Sequence, residues 1–238
     1  MYPLGLNYQV YLRSADRDLF FGVAPNNAVA LLKRIVNRFL SHWQRPSSFS
    51  RTPRPISKKP RICFMARLWD TAQTPEELRH INSTRIAIIR QIKEKYPDNS
   101  IGGVFDNAVA RELCPDLILN RIVSLQPIYL ATMHRSDICI GTMGLFQSIG
   151  WKTAEYVAAS KAIINEEIRY ELPGDFSAGV NYLTFSSVEE CMAQIDFLMQ
   201  NPEVMHAMCS ANREYYQNYA APDRQVLNAI QIITANKK

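Results

Sequence analysis

The stretch SDICIGTMGLFQSIGWKTAEYVAASKAIINEE, residues 136–167, decides the fold. It opens with a short apolar run, Asp137-Ile138-Cys139-Ile140-Gly141, of the length of a buried strand. A glycine-containing loop follows over residues 141–150. Trp151-Lys152-Thr153-Ala154-Glu155-Tyr156 then begins a helix with polar groups in its first turns. Ala162-Ile163-Ile164-Asn165 is a second buried run. Strand, loop, helix and strand make one βαβ unit. Open parallel sheets take ligands where such strands end and such helices begin.

Working outward, the same alternation recurs. Arg61-Ile62-Cys63-Phe64-Met65-Ala66-Arg67-Leu68 reads as a first buried strand. Thr74, Pro75, Glu76 and Glu77 start a helix that proline ends at Tyr96-Pro97. Residues 100–106 read as a second strand, 107–114 as a short helix and 116–120 as a third strand. Residues 126–135 are helical, and 181–185 form a further strand. Ser186 and Ser187, with Glu189 and Glu190 behind them, begin a long helix with a capping-box pattern. Helix then dominates, broken near Asn201-Pro202 and Ala221-Pro222. Strands alternating with helices predict an α/β domain over residues 61–238, a doubly wound parallel sheet with helices on both faces.

Ahead of it, residues 44–60 are rich in proline, serine and basic side chains, the composition of a linker. Residues 1–43 form a separate N-terminal segment. Within it, Val29, Leu32, Ile35, Val36, Phe39, Leu40 and Trp43 make a helical apolar stripe, with Lys33, Arg34, Asn37, Arg38 and Ser41 on the other face. Such a helix either lies on an acidic membrane surface or docks on its own domain.

The 238 residues carry a net charge of +5, but residues 1–60 hold ten Lys/Arg against two Asp/Glu. That quarter carries +8 and the remainder −3, so the basicity belongs to the N-terminal segment and suits an anionic partner there. No nucleic-acid motif accompanies it. No apolar run reaches the length of a membrane span, and no signal-peptide pattern opens the chain. The five cysteines are scattered without metal-knuckle spacing, as in a protein of the reducing cytoplasm. The four histidines stand far apart and form no ligand pair, and neither a Gly-x-Ser-x-Gly elbow nor a phosphate-binding Walker loop is present.

Chemistry is left to polar groups at strand ends. Glu155, near the start of the helix after the glycine loop, can accept from vicinal ribose hydroxyls. Lys152 can meet phosphate beside the helix N-terminus, and Arg67, ending the first strand at the same edge, can fork onto phosphate oxygens. The alternatives are a solvated i, i+3 pair of Lys152 and Glu155 and a structural ion pair at Arg67.

The ordered motifs of residues 61–220 resemble the C-terminal, donor-binding domain of GT-B glycosyltransferases of the group-1, retaining type. Met65-Ala66-Arg67-Leu68 matches that family's strand ending in Gly-Arg. Residues 135–140 match its "aDi.v" strand, 155–164 its "EA.A.G.pvi" element, and 179–202 its "g.n.l.f.s.eEl...i..ll.np" region. The resemblance implies a Rossmann-like sheet and a nucleoside-diphosphate sugar as donor. It implies that Glu155 holds the ribose and Arg67 the diphosphate, with Gly144, Gln147, Ser148 and Gly150 lining the phosphate and sugar side. Gln147 stands where the family has its first glutamate. Lys152 is our own addition, standing in for the family's lysine. The resemblance implies no cofactor and no metal. It implies transfer to a glycan or lipid-linked acceptor of cell-surface polysaccharide synthesis in the cytoplasm; on the membrane reading of the stripe, residues 27–43 would touch the inner membrane face. The family's acceptor domain and usual base lie N-terminal to this domain, so no catalytic residue is assigned, and residues 1–43 read as a remnant of that domain. The alternative is a non-catalytic module that binds a nucleotide sugar or a partner.

Overall fold

The computed structural model describes residues 45–72 and 75–235. The amphipathic stripe of residues 27–43 lies outside them. Five strands, β1 (Ile62–Ala66), β2 (Ser100–Val104), β3 (Ile138–Gly141), β4 (Ala162–Glu166) and β5 (Leu183–Phe185), form one sheet in the order β2-β1-β3-β4-β5. Every pairing is parallel. The helices are α1 (Pro46–Phe49), α2 (Pro75–Lys95), α3 (Ala108–Leu113), α4 (Gln126–Arg135), α5 (Trp151–Ala158), α6 (Val188–Gln200), α7 (Pro202–Tyr215) and α8 (Pro222–Ala235).

The strand period of two sorts the core into two layers. Ile62, Phe64, Ile138, Ile140 and Ile164 pack with Ile88, Ile89 and Ile92 of α2 and with Ile195 and Leu198 of α6. Cys63, Met65, Cys139 and Ile163 pack on the other face with Leu130 and Met133 of α4 and with Tyr156 and Val157 of α5. All five cysteines are free and buried. The doubly wound α/β fold expected from the alternation is therefore the fold observed. The capping box also forms: the Ser187 hydroxyl accepts from the Glu190 amide at 3.2 Å, while the Glu190 carboxylate accepts from the amide and hydroxyl of Ser186 at 2.7 Å each.

Two expectations change. The third strand expected over residues 116–120 shrinks to a single parallel bridge between Val104 and Ile118, with the Leu119 amide donating to the Val104 carbonyl at 2.9 Å. Pro115, which lacks an N–H and sets its own φ, starts a 3₁₀ turn over Pro115–Leu117 that uses up the segment. The second change concerns residues 44–60. The first half of this basic, proline-rich segment is docked rather than free. Phe49 is buried in the apolar cluster of the α4–α5 layer, which also holds Tyr215, Tyr216, Ala220 and Ala221. The Arg51 amide donates to Ala158 at 3.0 Å, and Ser160 donates back to the Arg51 carbonyl at 2.7 Å. Arg213 reaches the Ser50 hydroxyl at 2.9 Å. One aromatic side chain with paired backbone groups around it was enough to fix a stretch whose average composition reads as mobile.

Chain winding places the ligand-binding position. From β1 the chain moves outward to β2, then crosses back to β3 and continues to β4 and β5, so the winding reverses between β1 and β3. These two strands pair only through Ile62–Ile138 and Cys63–Cys139, and beyond that they part toward their carboxyl ends. A crevice at this edge is where doubly wound sheets take ligands.

The docked segment yields two testable outcomes. Phe49→Ala should lower unfolding free energy by about 3 kcal/mol, seen as a drop in the denaturant midpoint at unchanged m, whereas a change within about 0.5 kcal/mol would mean a free segment. His134, whose ring Nε2 meets the Phe49 carbonyl at 3.2 Å, is held neutral: burial first, then the Arg51 charge, pushes its pKa down to about 4. The unfolded chain takes up this proton near pH 6.5 and the folded chain does not, so stability should fall as pH drops from about 6.5 to about 4. Denaturation midpoints across that window should decline less in His134→Gln.

Candidate functional site

Arg67 leaves the end of β1 at the crevice with its side chain exposed, while its backbone is pinned. The Phe105 amide donates to Ala66 at 2.8 Å, and Arg85 Nη1 donates to the Arg67 carbonyl at 2.7 Å. Asn107 donates to Leu68 at 2.8 Å, and the Asn82 amide group both accepts from and donates to the backbone of Trp69, at 2.9 and 2.8 Å. A long flexible cation is thus carried on a rigid base.

Arg85 is the residue that sequence reading passed over. It is 7% exposed, and it lies on α2 among Leu78, Asn82, Ile88, Ile89 and Ile92, all buried. Besides Arg67, it donates through Nε to the Thr142 hydroxyl at 2.8 Å and through Nη2 to the Met143 carbonyl at 3.0 Å. One guanidinium therefore joins the ends of β1 and β3 across the crevice. Burial pushes its pKa down to about 10, against the pull of Glu166. Glu166, at the end of β4, accepts from the Met143 amide at 2.6 Å and fixes the start of the glycine loop from the other side. The signal for Arg85 was a lone charge at the helical spacing of an apolar stripe.

The loop itself closes on a short turn. The Gly144 amide donates to the Ser148 carbonyl at 2.7 Å, and Ser148 donates to Leu145 at 3.1 Å. Phe146 and Gln147 both adopt left-handed backbone, φ 54° and 55°, which costs non-glycine residues free energy. The turn is held by Glu77, which accepts from the Phe146 amide at 2.7 Å, and by the Tyr170 hydroxyl on the Phe146 carbonyl at 3.0 Å. Gln147 is exposed, with its carbonyl oxygen accepting from Arg169 at 3.1 Å. Ser148 is exposed, and Gly144 and Gly150 are half-buried. Gly150 is the N-cap of α5, and a Cβ there would meet the Thr142 carbonyl at 2.9 Å, a backbone contact that cannot yield. No side chain caps α5, so its first amides are free of a side-chain partner.

Lys152 and Glu155 are not the solvated pair that was one alternative. The Lys152 ammonium is buried 4.8 Å from the Phe105 ring centre and 4.7 Å from that of Tyr129, without a hydrogen-bond partner. The Glu155 carboxylate accepts from the Tyr129 hydroxyl. Burial lowers the Lys152 pKa and raises that of Glu155, and each charge partly restores the other. Tyr156, one turn beyond Lys152 on α5, also buries an unpaired hydroxyl. So the structure brings Arg67, the loop glycines, Gln147, Ser148 and the start of α5 to one edge. Lys152 and Glu155 sit just beneath, between α4 and α5.

Among the described residues, no group of three or more His, Cys, Asp or Glu is placed to hold a metal ion. No helix among them is long and apolar enough to cross a membrane. A concavity of about 600 Å³ runs along the outer side of α2, past Arg79, Asn82, Arg90 and Leu113. None of its lining residues belongs to β3 or to the 141–150 loop, so the crevice remains the better candidate on the topology of the sheet.

No protein-family model and no curated protein matches the chain. Solved structures do. The chain is similar to the C-terminal domain of a group 1 family glycosyl transferase, LpcC, from Francisella tularensis: 12% identity, TM-score 0.46, covering 73% of this chain and 96% of that one. It is similar to the UDP-GlcNAc 2-epimerase from Neisseria meningitidis bound to UDP-GlcNAc, at 17% identity and TM-score 0.47, covering 87% of this chain and 52% of the other. A third is the pneumococcal O-GlcNAc transferase GtfA in complex with UDP and GlcNAc, at 12% identity and TM-score 0.47, covering 78% of this chain and 38% of that one. The chain thus spans about half of the epimerase chain and less of the transferase. At these identities the candidate site rests on the sheet order and on side-chain geometry.

Truncating the clamp tests the site's construction. Arg85→Ala leaves the Arg67 and Met143 carbonyls and the Thr142 hydroxyl without this donor, and should cost about 3 kcal/mol of stability in denaturant unfolding. Arg85→Lys, with one compact ammonium in place of a three-way fork, should recover only part of that loss.

Proposed function

We propose that the chain binds a nucleoside-diphosphate sugar in the β1–β3 crevice and serves as the donor half of a GT-B type glycosyltransferase. One observation carries this reading. The winding of the sheet reverses between the two strands whose ends bear Arg67 and the 141–150 loop, so a basic side chain and a helix N-terminus meet at the position where such sheets take ligands.

In this reading the diphosphate lies against the first amides of α5 and the Arg67 fork. Gly144, Gln147, Ser148 and Gly150 line the phosphate and sugar side. Glu155 holds the ribose hydroxyls by exchanging its bond from Tyr129 for bonds from the sugar. Lys152 turns out of its aromatic slot toward the phosphates, which pair its unpartnered ammonium. As the glycosidic bond to the donor breaks, negative charge grows on the departing diphosphate, and these cations and amides stabilise it. The acceptor, a glycan or lipid-linked sugar, and the group that activates it lie outside the described residues.

A second reading has support in the strand order. Counting only full strands, 2-1-3-4-5 is the flavodoxin-like order, in which the loop after the first strand is the main ligand contact. The bridge of Ile118 to Val104 adds a vestigial sixth position outside β2 and favours the donor-domain reading.

Titration calorimetry with UDP and GDP separates them. The donor reading expects binding of at least one nucleotide, weakened about tenfold or more by Arg67→Ala and by Glu155→Ala. An unchanged affinity in Glu155→Ala supports the flavodoxin-like reading. Absence of heat with any nucleoside diphosphate at millimolar concentration sinks the proposal. Binding without hydrolysis or transfer would mark a non-catalytic module.

A further inference from the structure

Tyr129 engages both charged side chains that the donor reading places beneath the crevice. It lies on α4, 6% exposed, in one apolar cluster with Ala154, Tyr156 and Val157 of α5. Its hydroxyl donates to the Glu155 carboxylate. The Lys152 ammonium lies over its ring, 4.7 Å from the centre, and over the ring of Phe105 at 4.8 Å. Lys152 and Glu155 are one turn apart on α5, so one side chain of α4 reaches both.

These contacts imitate a nucleotide. A hydroxyl donating to a carboxylate is the bond that a ribose hydroxyl makes, and ring faces attract an ammonium where phosphate oxygens would bond it. The imitation is poorest at Lys152. Its ammonium carries three donors and has no hydrogen-bond partner, and the Tyr156 hydroxyl, next to Glu155 in the chain, is buried unpaired as well. Buried polar groups without partners cost free energy, so this arrangement holds the lysine without satisfying it.

The approach to Tyr129 is able to give way. No side chain caps α4, and Ile122, Leu125 and Ile128 ahead of Tyr129 are 60%, 56% and 39% exposed. The turn before the helix is held by its own residues: the Ile122 amide donates to the Asn120 side chain at 2.9 Å, and the amides of Val123, Ser124 and Leu125 donate to the carbonyls of Asn120, Arg121 and Ile122 at 2.9, 3.1 and 3.1 Å. A lightly buried turn closed on itself can shift without breaking the sheet.

We propose that Tyr129, with Phe105, is an internal competitor for the donor: in the free chain it occupies Glu155 and Lys152, and a nucleotide binds by displacing it. The inference rests on the donor reading of the crevice and adds to it an autoinhibitory contact. Only the fraction of molecules with Glu155 and Lys152 released is competent to bind, so the apparent affinity is reduced by that fraction. Removing the Tyr129 hydroxyl therefore tightens binding. A residue that grips the ligand, or that orients Glu155 toward it, has the opposite sign.

Titration calorimetry with UDP and GDP on the full chain tests it. Tyr129→Phe keeps the ring and loses only the hydroxyl, and should bind roughly fivefold more tightly than the wild type. Phe105→Leu, which removes the other ring over Lys152, should also bind more tightly. Tyr129→Phe combined with Glu155→Ala should bind no more tightly than Glu155→Ala alone, a dependence that a merely structural tyrosine would not show. Denaturant unfolding of each variant reports that it is folded. Equal or weaker binding by Tyr129→Phe overturns the proposal and leaves the donor reading standing, as does a gain that persists without Glu155. No binding of either nucleotide by the wild type or by Tyr129→Phe overturns the donor reading, and this inference with it.

Discussion

A buried guanidinium stands where two strands of this sheet stop pairing. β1 and β3 share two residue pairs and then diverge, which opens the carboxyl edge but leaves the strand ends without a ladder between them. Arg85 replaces that ladder with three donated bonds, to the Arg67 carbonyl, the Thr142 hydroxyl and the Met143 carbonyl. Taking an arginine out of water is costly unless its donors are used, and here the fork geometry uses them on both strand ends. The position of Arg67, the start of the glycine loop and the approach to α5 all depend on this joint.

Beneath the crevice the polar groups are less settled. The Lys152 ammonium and the Tyr156 hydroxyl are buried without hydrogen-bond partners, and Glu155 has taken a tyrosine hydroxyl as its partner. Folded proteins leave few such groups unpaired, and those that remain concentrate where function asks for them. An anionic ligand above α5 would satisfy the lysine. The strained turn at Phe146 and Gln147 adds to the picture of an edge shaped for something other than stability.

The N-terminal side of the domain follows a simpler physics. Phe49 is buried in one apolar cluster with residues of α5 and of the α7–α8 junction, and the backbone of Arg51 pairs with Ala158 and Ser160. His134 is neutral because burial and the Arg51 charge both oppose its proton.

Apolar runs of strand length separated by helical stripes made the doubly wound sheet legible from the residues, because burial on two faces leaves a period-two record along each strand. Proline and capping signals placed the helix ends for the same local reason, as at Ser187 and Asn107. That Arg67 and the 141–150 loop follow strands ending at one edge was also readable, since parallel strands put all their carboxyl ends together. Strand order was not, and neither was the reduction of the expected strand over residues 116–120 to a single bridge or the docking of Phe49. Nor was the fate of Lys152, which the residues place one turn from Glu155 but the fold inserts between Phe105 and Tyr129. The docking of Phe49 and the slot of Lys152 depend on partners more than 20 residues away in the chain. Local pattern records whether a side chain is buried; only the packed layers decide what it is buried against.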